Sequence, residues 1–158
     1  MPRPEIGAVA PDFTAATQTE GETLALSSFA GKQAVVLYFY PKDDTPGCTT
    51  ESCGFRDLRQ AFEEAGAAIV GVSRDSVASH GKFVTKYGLN FPLVSDVDGS
   101  ICEAYGVWVE KSNYGKKYMG IERTTFVIAK DGTVAAVFPK VKVDGHVDKV
   151  LDAVKALG

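Results

Sequence analysis

The sequence lacks the features that would assign it to several common classes of protein. No hydrophobic run approaches the roughly 20 residues that a membrane-spanning helix needs. Positive charge is not in excess, because the formal net charge is -3 and the pI is near 5.4, so we expect no nucleic-acid partner. The first residues carry no apolar segment of the kind found in a signal peptide, so we expect a cytoplasmic protein.

Cysteine and histidine are scarce. The three cysteines are too few, and odd in number, for a disulfide framework. No pair of potential metal ligands has C-x-x-C or H-x-x-x-H spacing, so we predict neither a structural metal nor a cofactor. His80 and His146 are interpreted as solvated residues on polar helical surfaces. Cys102, beside Ile101, is interpreted as a buried core thiol, the usual role of a free cysteine.

Hydrophobic periodicity predicts strands that alternate with helices in one domain, 1–158. The predicted strands are 34–40, 67–73, 91–95, 121–129 and 133–138, and the predicted helices are 48–65, 77–87, 100–105 and a last one that Gly158 closes. An N-terminal β-hairpin is predicted from 13–17 and 23–26, and residues 110–120 are predicted to be an exposed loop. This order predicts an α/β, thioredoxin-like fold with a mixed central β-sheet flanked by helices.

Cys48 lies where an open α/β sheet places its chemistry, after the carboxyl end of a buried strand and at the start of a helix. The thiolate is the nucleophilic form of cysteine, and a helix N-terminus favours an anion. Thr45 can donate a hydrogen bond to the thiolate or to a bound peroxide oxygen. Arg123 is our candidate for a nearby cation, and Pro41 stiffens the turn.

Cys53 follows Cys48 by five positions. On an intact helix their Cα atoms would be roughly 8.7 Å apart, whereas a disulfide needs about 7 Å or less. Either Cys53 is structural, or the first turns of the helix unwind after Cys48 is oxidised. We favour unwinding, because Gly47 and Gly54 weaken the helix.

The string Pro41-x-x-x-Thr45-x-x-Cys48 resembles the active-site signature of peroxiredoxins, which are thiol peroxidases. Residues 40–53, together with 114–120 and 123–126, resemble the bacterioferritin-comigratory-protein class, also called PrxQ. The resemblance covers nearly the whole chain. Cys102 has no role in the signature, and Ala129 stands where an acidic residue often precedes the Lys-Asp-Gly turn.

The resemblance implies a thioredoxin-like fold and a reaction with hydrogen peroxide or an organic hydroperoxide. Cys48 would be oxidised to a sulfenic acid, while Thr45 and Arg123 hold the peroxide oxygens. Pro41 would shield the pocket, and Glu51 would orient the arginine.

The resemblance also implies how the cycle closes. Cys53 would resolve the sulfenic acid as an intramolecular disulfide, and thioredoxin, or sometimes glutaredoxin, would reduce that disulfide. Many members of this class are monomeric, so we expect a monomer.

Two other functions stay open at this point. A thioredoxin-type dithiol oxidoreductase normally has C-x-x-C, and the wider spacing here counts against it. A redox-inert binding or holdase module could use the same fold. Trp108 is interpreted as core or pocket wall. Lys111, Lys116 and Lys117 are interpreted as solvated, with docking of the reductant as the weaker alternative.

Overall fold

A five-stranded mixed sheet organises the chain in a computed structural model that describes residues 3–157. The predicted helix stop at Gly158 lies outside the described residues. The strands are β1 Thr14–Ala16, β2 Thr23–Ala25, β3 Ala34–Phe39, β4 Ala67–Ser73, β5 Leu93–Ser95, β6 Trp108–Asn113, β7 Lys116–Ile121, β8 Thr124–Ile128 and β9 Val134–Phe138. The helices are α1 Pro46–Glu64, α2 Val77–Tyr87, α3 Ser100–Ala104 and α4 His146–Lys155.

The central sheet has the strand order β5-β4-β3-β8-β9. Strands β3, β4 and β5 run parallel, whereas β8 is antiparallel to β3 and β9 to β8. Every residue of β3 is buried, as expected of an apolar strand that is covered on both faces. The predicted α/β fold with a mixed central sheet is therefore confirmed, and β1 and β2 form the predicted N-terminal hairpin.

Two apolar clusters cover the two faces of this sheet. One cluster contains Phe55 of α1, Phe83 of α2 and Val150 of α4. The other contains Ile101 and Cys102 of α3, so the interpretation of Cys102 as a buried core thiol is confirmed. Among residues 3–157, no helix has the length and hydropathy of a membrane span.

The helix ends follow local capping chemistry. α1 begins at Pro46 rather than Cys48, because proline is favoured at the first helical position, where its missing N–H is not needed. Ser76 caps the start of α2, since its Oγ accepts a hydrogen bond from the Ser79 N–H. Gly88 ends α2 with a φ of 61°, in the left-handed region that favours glycine.

The predicted loop at 110–120 is wrong, because these residues belong to the β6–β7 hairpin. Its turn has positive φ at both central residues, 52° at Tyr114 and 79° at Gly115, as a tight hairpin turn requires. The strand predicted at 121–129 begins later, at Thr124, because Ile121 pairs with Trp108 in this hairpin.

The interpretation of both histidines as solvated is also wrong. His80 is fully buried and His146 is 4% exposed. His80 lies three residues before Phe83, and His146 lies four residues before Val150, so helical spacing puts each on the apolar face of its helix. Each histidine has hydrogen-bond partners in the interior, which is how a buried imidazole is tolerated.

Candidate active site

Cys48 is the third residue of α1, which follows β3 after a short loop. The first N–H groups of a helix have no partner within the helix, and the helix dipole favours negative charge there. Cys48 is 1% exposed, so water screens this effect little. The fold therefore places a buried sulfur atom at a position that favours an anion.

Arg123 bridges Cys48 and Glu51. One guanidinium nitrogen, Nη2, donates to the Cys48 Sγ at 3.2 Å, and the other, Nη1, donates to the Glu51 Oε1 at 2.6 Å. Arg123 lies between β7 and β8, and its carbonyl accepts a hydrogen bond from the Val141 N–H. A Cβ atom at Gly47 would lie 3.2 Å from Nη2, so the missing side chain of Gly47 leaves room for the guanidinium.

Glu51 is fully buried in α1, on the same side as the sulfur. Burial raises the pKa of Glu51 to about 7, although the charge and hydrogen bond of Arg123 act in the opposite direction. Burial lowers the pKa of Arg123, but the negative charges of Glu51 and Cys48 and their hydrogen bonds outweigh this and leave it raised. One cation thus serves two acidic groups.

His146 and Thr125 stand behind Glu51, and the sequence analysis gave neither a role. The His146 Nε2 lies 2.8 Å from the Thr125 Oγ1 and 3.7 Å from the Glu51 Oε2. Burial lowers the pKa of His146 to about 4, and the charges of Arg123 and Lys149 act in the same direction. The apolar face of α4 was the available signal, because His146 shares it with Val150.

Thr45, one of the predicted donors to the sulfur, has a different partner, and Pro41 lies at the surface. The Thr45 hydroxyl donates to the Lys42 carbonyl at 2.8 Å, rather than to Cys48. Pro41 is exposed and lines an open groove of about 410 Å³, together with Trp108, Lys111 and Met119. Trp108 therefore forms a pocket wall, one of the two positions proposed for it.

A buried network around Asp43 holds the loop that precedes α1. The carboxylate of Asp43 accepts hydrogen bonds from Tyr40 at 2.6 Å and Ser79 at 2.8 Å, and it lies 2.7 Å from the His80 Nδ1. The N–H of Asp43 donates to Asp75 at 2.8 Å. Asp43, Asp75 and His80 converge closely enough to suggest a metal site, but these hydrogen bonds already occupy the facing atoms. The cluster therefore holds the loop in place.

The other two cysteines lie in different surroundings. Cys53 is half-buried in the same unbroken helix as Cys48, and all three cysteines are free. Cys102 lies on the opposite face of the sheet, where burial raises the pKa of its thiol and Asp96 acts in the same direction. Of the predicted site residues, the fold brings together Cys48, Arg123 and Glu51.

The chain is similar to known proteins over most of its length. Residues 6–137 match the model of the AhpC/TSA family. The chain is 56% identical to the putative peroxiredoxin bcp of Coxiella burnetii over 147 residues, which are 93% of this chain and 96% of that protein. It is 51% identical to the peroxiredoxin Bcp of Bacillus subtilis over 151 residues, which are 96% of this chain and 95% of that protein.

A solved structure is also similar to this chain. It is that of the bacterioferritin comigratory protein of Xanthomonas campestris, determined to gain insight into that protein's alkyl peroxide reduction activity. The similarity has a TM-score of 0.88 at 48% identity and covers 98% of this chain and 97% of that one.

Proposed function

The chain belongs to the AhpC/TSA family and is a peroxiredoxin, and we propose that its Cys48 is the thiol that reacts with the peroxide. The Cys48 thiolate would attack one peroxide oxygen and form a sulfenic acid. The O–O bond would break, and the departing oxygen would take up a proton to leave as water or an alcohol. The observation that carries this proposal is the 3.2 Å hydrogen bond from Arg123 to the sulfur.

Arg123 would act in two ways. Its charge stabilises the thiolate, and its N–H groups can hold the peroxide and the negative charge that develops on the departing oxygen. Glu51 would keep the guanidinium in place through the 2.6 Å hydrogen bond. The Thr45 hydroxyl would rotate away from the Lys42 carbonyl to reach the peroxide. Pro41 would close one side of the site.

Cys53 would resolve the sulfenic acid. Its thiolate would attack the Cys48 sulfur, a disulfide would form, and water would leave. Because both cysteines lie in one continuous helix, the start of α1 has to unwind first. Unwinding would break the Glu51–Arg123 hydrogen bond and the 2.8 Å hydrogen bond between Ser52 and Tyr38. Local opening at a helix end needs far less free energy than global unfolding.

Thioredoxin, or alternatively glutaredoxin, would reduce this disulfide. This assignment rests on the family and on the half-buried position of Cys53. The enzyme would be cytoplasmic and monomeric, as expected from the sequence and from the class that it resembles. The substrates would be hydrogen peroxide and organic hydroperoxides. The groove beside Pro41 supports the second substrate class, because its apolar wall at Trp108 and Met119 can accept an alkyl group.

The direct experiment adds one equivalent of hydrogen peroxide to the reduced protein and counts free thiols. We expect consumption of one peroxide and loss of two thiols per chain. Cys48→Ser should abolish the reaction. Cys53→Ser should form the sulfenic acid but fail to turn over with thioredoxin.

Cys102→Ser is the matched control and should behave as the parent protein. The assignment of Cys48 fails if Cys48→Ser still consumes peroxide at the parent rate. The assignment of Cys53 fails if Cys53→Ser still turns over with thioredoxin.

A further inference from the structure

One oxygen of the buried Glu51 carboxylate lacks a hydrogen bond. Oε1 accepts from Arg123, whereas Oε2 has no hydrogen-bond partner among residues 3–157. A buried polar atom without a partner is destabilising, and more so if it is charged. The polar atom that faces Oε2 is the His146 Nε2, at 3.7 Å, slightly beyond hydrogen-bond distance. The energy of the carboxylate therefore depends on His146.

The imidazole of His146 is held with this edge toward Glu51. The main-chain N–H of His146 donates to the Val143 carbonyl at 3.1 Å, and the ring Nε2 lies 2.8 Å from the Thr125 hydroxyl. The rings of Phe55 and Phe138 stand nearly perpendicular to it, with centroids 6.2 and 5.5 Å away. The side chain is thus fixed by one hydrogen bond and two aromatic contacts.

We propose that His146 is a positioning residue, which Thr125 orients and which acts through Glu51 on the share of the Arg123 charge that reaches Cys48. Arg123 is one cation between two acidic groups. An ionised Glu51 draws the guanidinium charge away from the sulfur, and a protonated Glu51 releases it to the sulfur. In the tautomer that carries its proton on Nε2, the neutral imidazole presents the positive end of an N–H dipole to Oε2, so it favours the ionised carboxylate and restrains the reactivity of Cys48. This inference rests on the proposed role of Cys48.

The charged and titratable groups around Glu51 and His146 come from four parts of the fold. They are Cys48 on α1, Tyr38 on β3, Arg123 before β8, and His146 and Lys149 on α4. Burial raises the pKa of Glu51 to about 7, so both of its forms are populated at neutral pH. A small change at His146 therefore alters the balance between them.

The test measures alkylation of Cys48 by iodoacetamide as a function of pH, with the labelled peptide quantified by mass spectrometry. His146→Leu removes the polar edge beside Oε2 and should keep Glu51 protonated to higher pH. The released Arg123 charge then favours the thiolate. The midpoint of the Cys48 profile should move to lower pH by about half a unit or more. His146→Gln, which keeps a polar atom, should move it less.

Thr125→Val keeps the shape of the side chain but removes the hydroxyl that orients His146, so it should also move the midpoint, by less than His146→Leu does. Thr124→Val is the matched control, because Thr124 is equally buried and its hydroxyl bonds only to the Glu122 carbonyl. It should leave the midpoint unchanged. The thermal midpoint of each variant reports whether it folds.

A mutant cycle separates this inference from a general loss of structure. In a Glu51→Gln background the effect has no carboxylate to act through, so adding His146→Leu should produce no further shift. The inference is overturned if neither His146→Leu nor Thr125→Val moves the midpoint, or if the shift persists with Glu51→Gln. Alkylation needs no peroxidase activity, so failure of the proposed function would instead be seen as a peroxide reaction that survives Cys48→Ser.

Discussion

Cys48 and Cys102 are equally buried, at 1% and 0% exposed, yet they face opposite charges. The sulfur of Cys48 accepts a hydrogen bond from Arg123. Cys102 lies beside the Asp96 carboxylate, which adds to the effect of burial in raising the pKa of its thiol. Burial alone therefore does not separate the proposed reactive cysteine from the other one. The charge of the nearest partner does, because a cation favours the nucleophilic thiolate and an anion opposes it.

Their positions in the fold explain the difference in partners. Cys48 lies in the first turn of the helix that follows the central strand, where the β7–β8 connection brings in Arg123. Cys102 lies inside the short helix α3, whose first N–H groups are bound by Asp96: the N–H of Ile101 at 3.1 Å and that of Cys102 at 2.8 Å. At the start of α1 the first helix N–H groups favour an anion at Cys48, whereas at the start of α3 they already donate to the Asp96 carboxylate.

The largest expected effect comes from removing the cation beside Cys48. Arg123→Met should slow the reaction of Cys48 with hydrogen peroxide by about 100- to 1,000-fold, the usual loss when one donor to a developing oxyanion is removed. Stopped-flow measurement of the second-order rate constant gives the result. Arg59→Met is the matched control, because Arg59 lies in the same helix as Cys48 but pairs with Glu63 at the surface. An equal loss in both variants would contradict the comparison.

The second effect concerns the carboxylate that shares Arg123. Burial raises the pKa of Glu51 from 4.5 to about 7, so between these values the native protein holds a proton that the unfolded chain releases. Stability due to this group therefore falls as pH rises through that window. The contribution of His146 to stability has the opposite pH dependence, because the pKa of His146 is lowered from 6.5 to about 4 and the unfolded chain binds the extra proton. Its contribution to stability rises with pH from about 4 to 6.5.

Of these two contributions to stability, only that of His146, which rises with pH, remains in the Glu51→Gln variant. Between pH 4.5 and 7, the free energy of unfolding should therefore increase with pH by up to about 3 kcal/mol more than in the parent protein. Urea unfolding at several pH values measures this slope. Glu63→Gln, exposed on the same helix, should keep the parent slope. An identical slope in Glu51→Gln and the parent would refute the raised pKa of Glu51.

The smallest effect tests the space beside the guanidinium. The Cβ atom in Gly47→Ala would lie 3.2 Å from the Arg123 Nη2, so the guanidinium has to shift by a few tenths of an ångström. We expect about a tenfold slower reaction with peroxide, although alanine should stabilise the helix by up to about 1 kcal/mol. Gly81→Ala in α2, whose Cβ would lie 3.4 Å from the Gln18 carbonyl, is the control and should react at the parent rate. A parent rate in Gly47→Ala would show that the arginine position is not critical.

The sequence predicted the parts of this site that local chemistry determines. The strand, the turn and the helix start around Cys48 followed from apolar runs and proline positions. The pairing of Arg123 with Cys48 across 75 positions came from the family resemblance rather than from spacing. His146 and Thr125 were missed, because their role depends on how α4 packs against β8 and α1. The Thr45 hydrogen bond to the Lys42 carbonyl was missed because a hydroxyl can rotate toward any of several nearby acceptors, and the sequence does not show which one it meets.

The measurement that tests the central claim most directly locates the sulfenic acid. The Cys53→Ser variant, reduced and then treated briefly with one equivalent of hydrogen peroxide, is trapped with dimedone, and its peptides are analysed by mass spectrometry. We predict that the adduct forms on Cys48 and that Cys102 stays unmodified. An adduct on Cys102, or none on Cys48, would contradict the account.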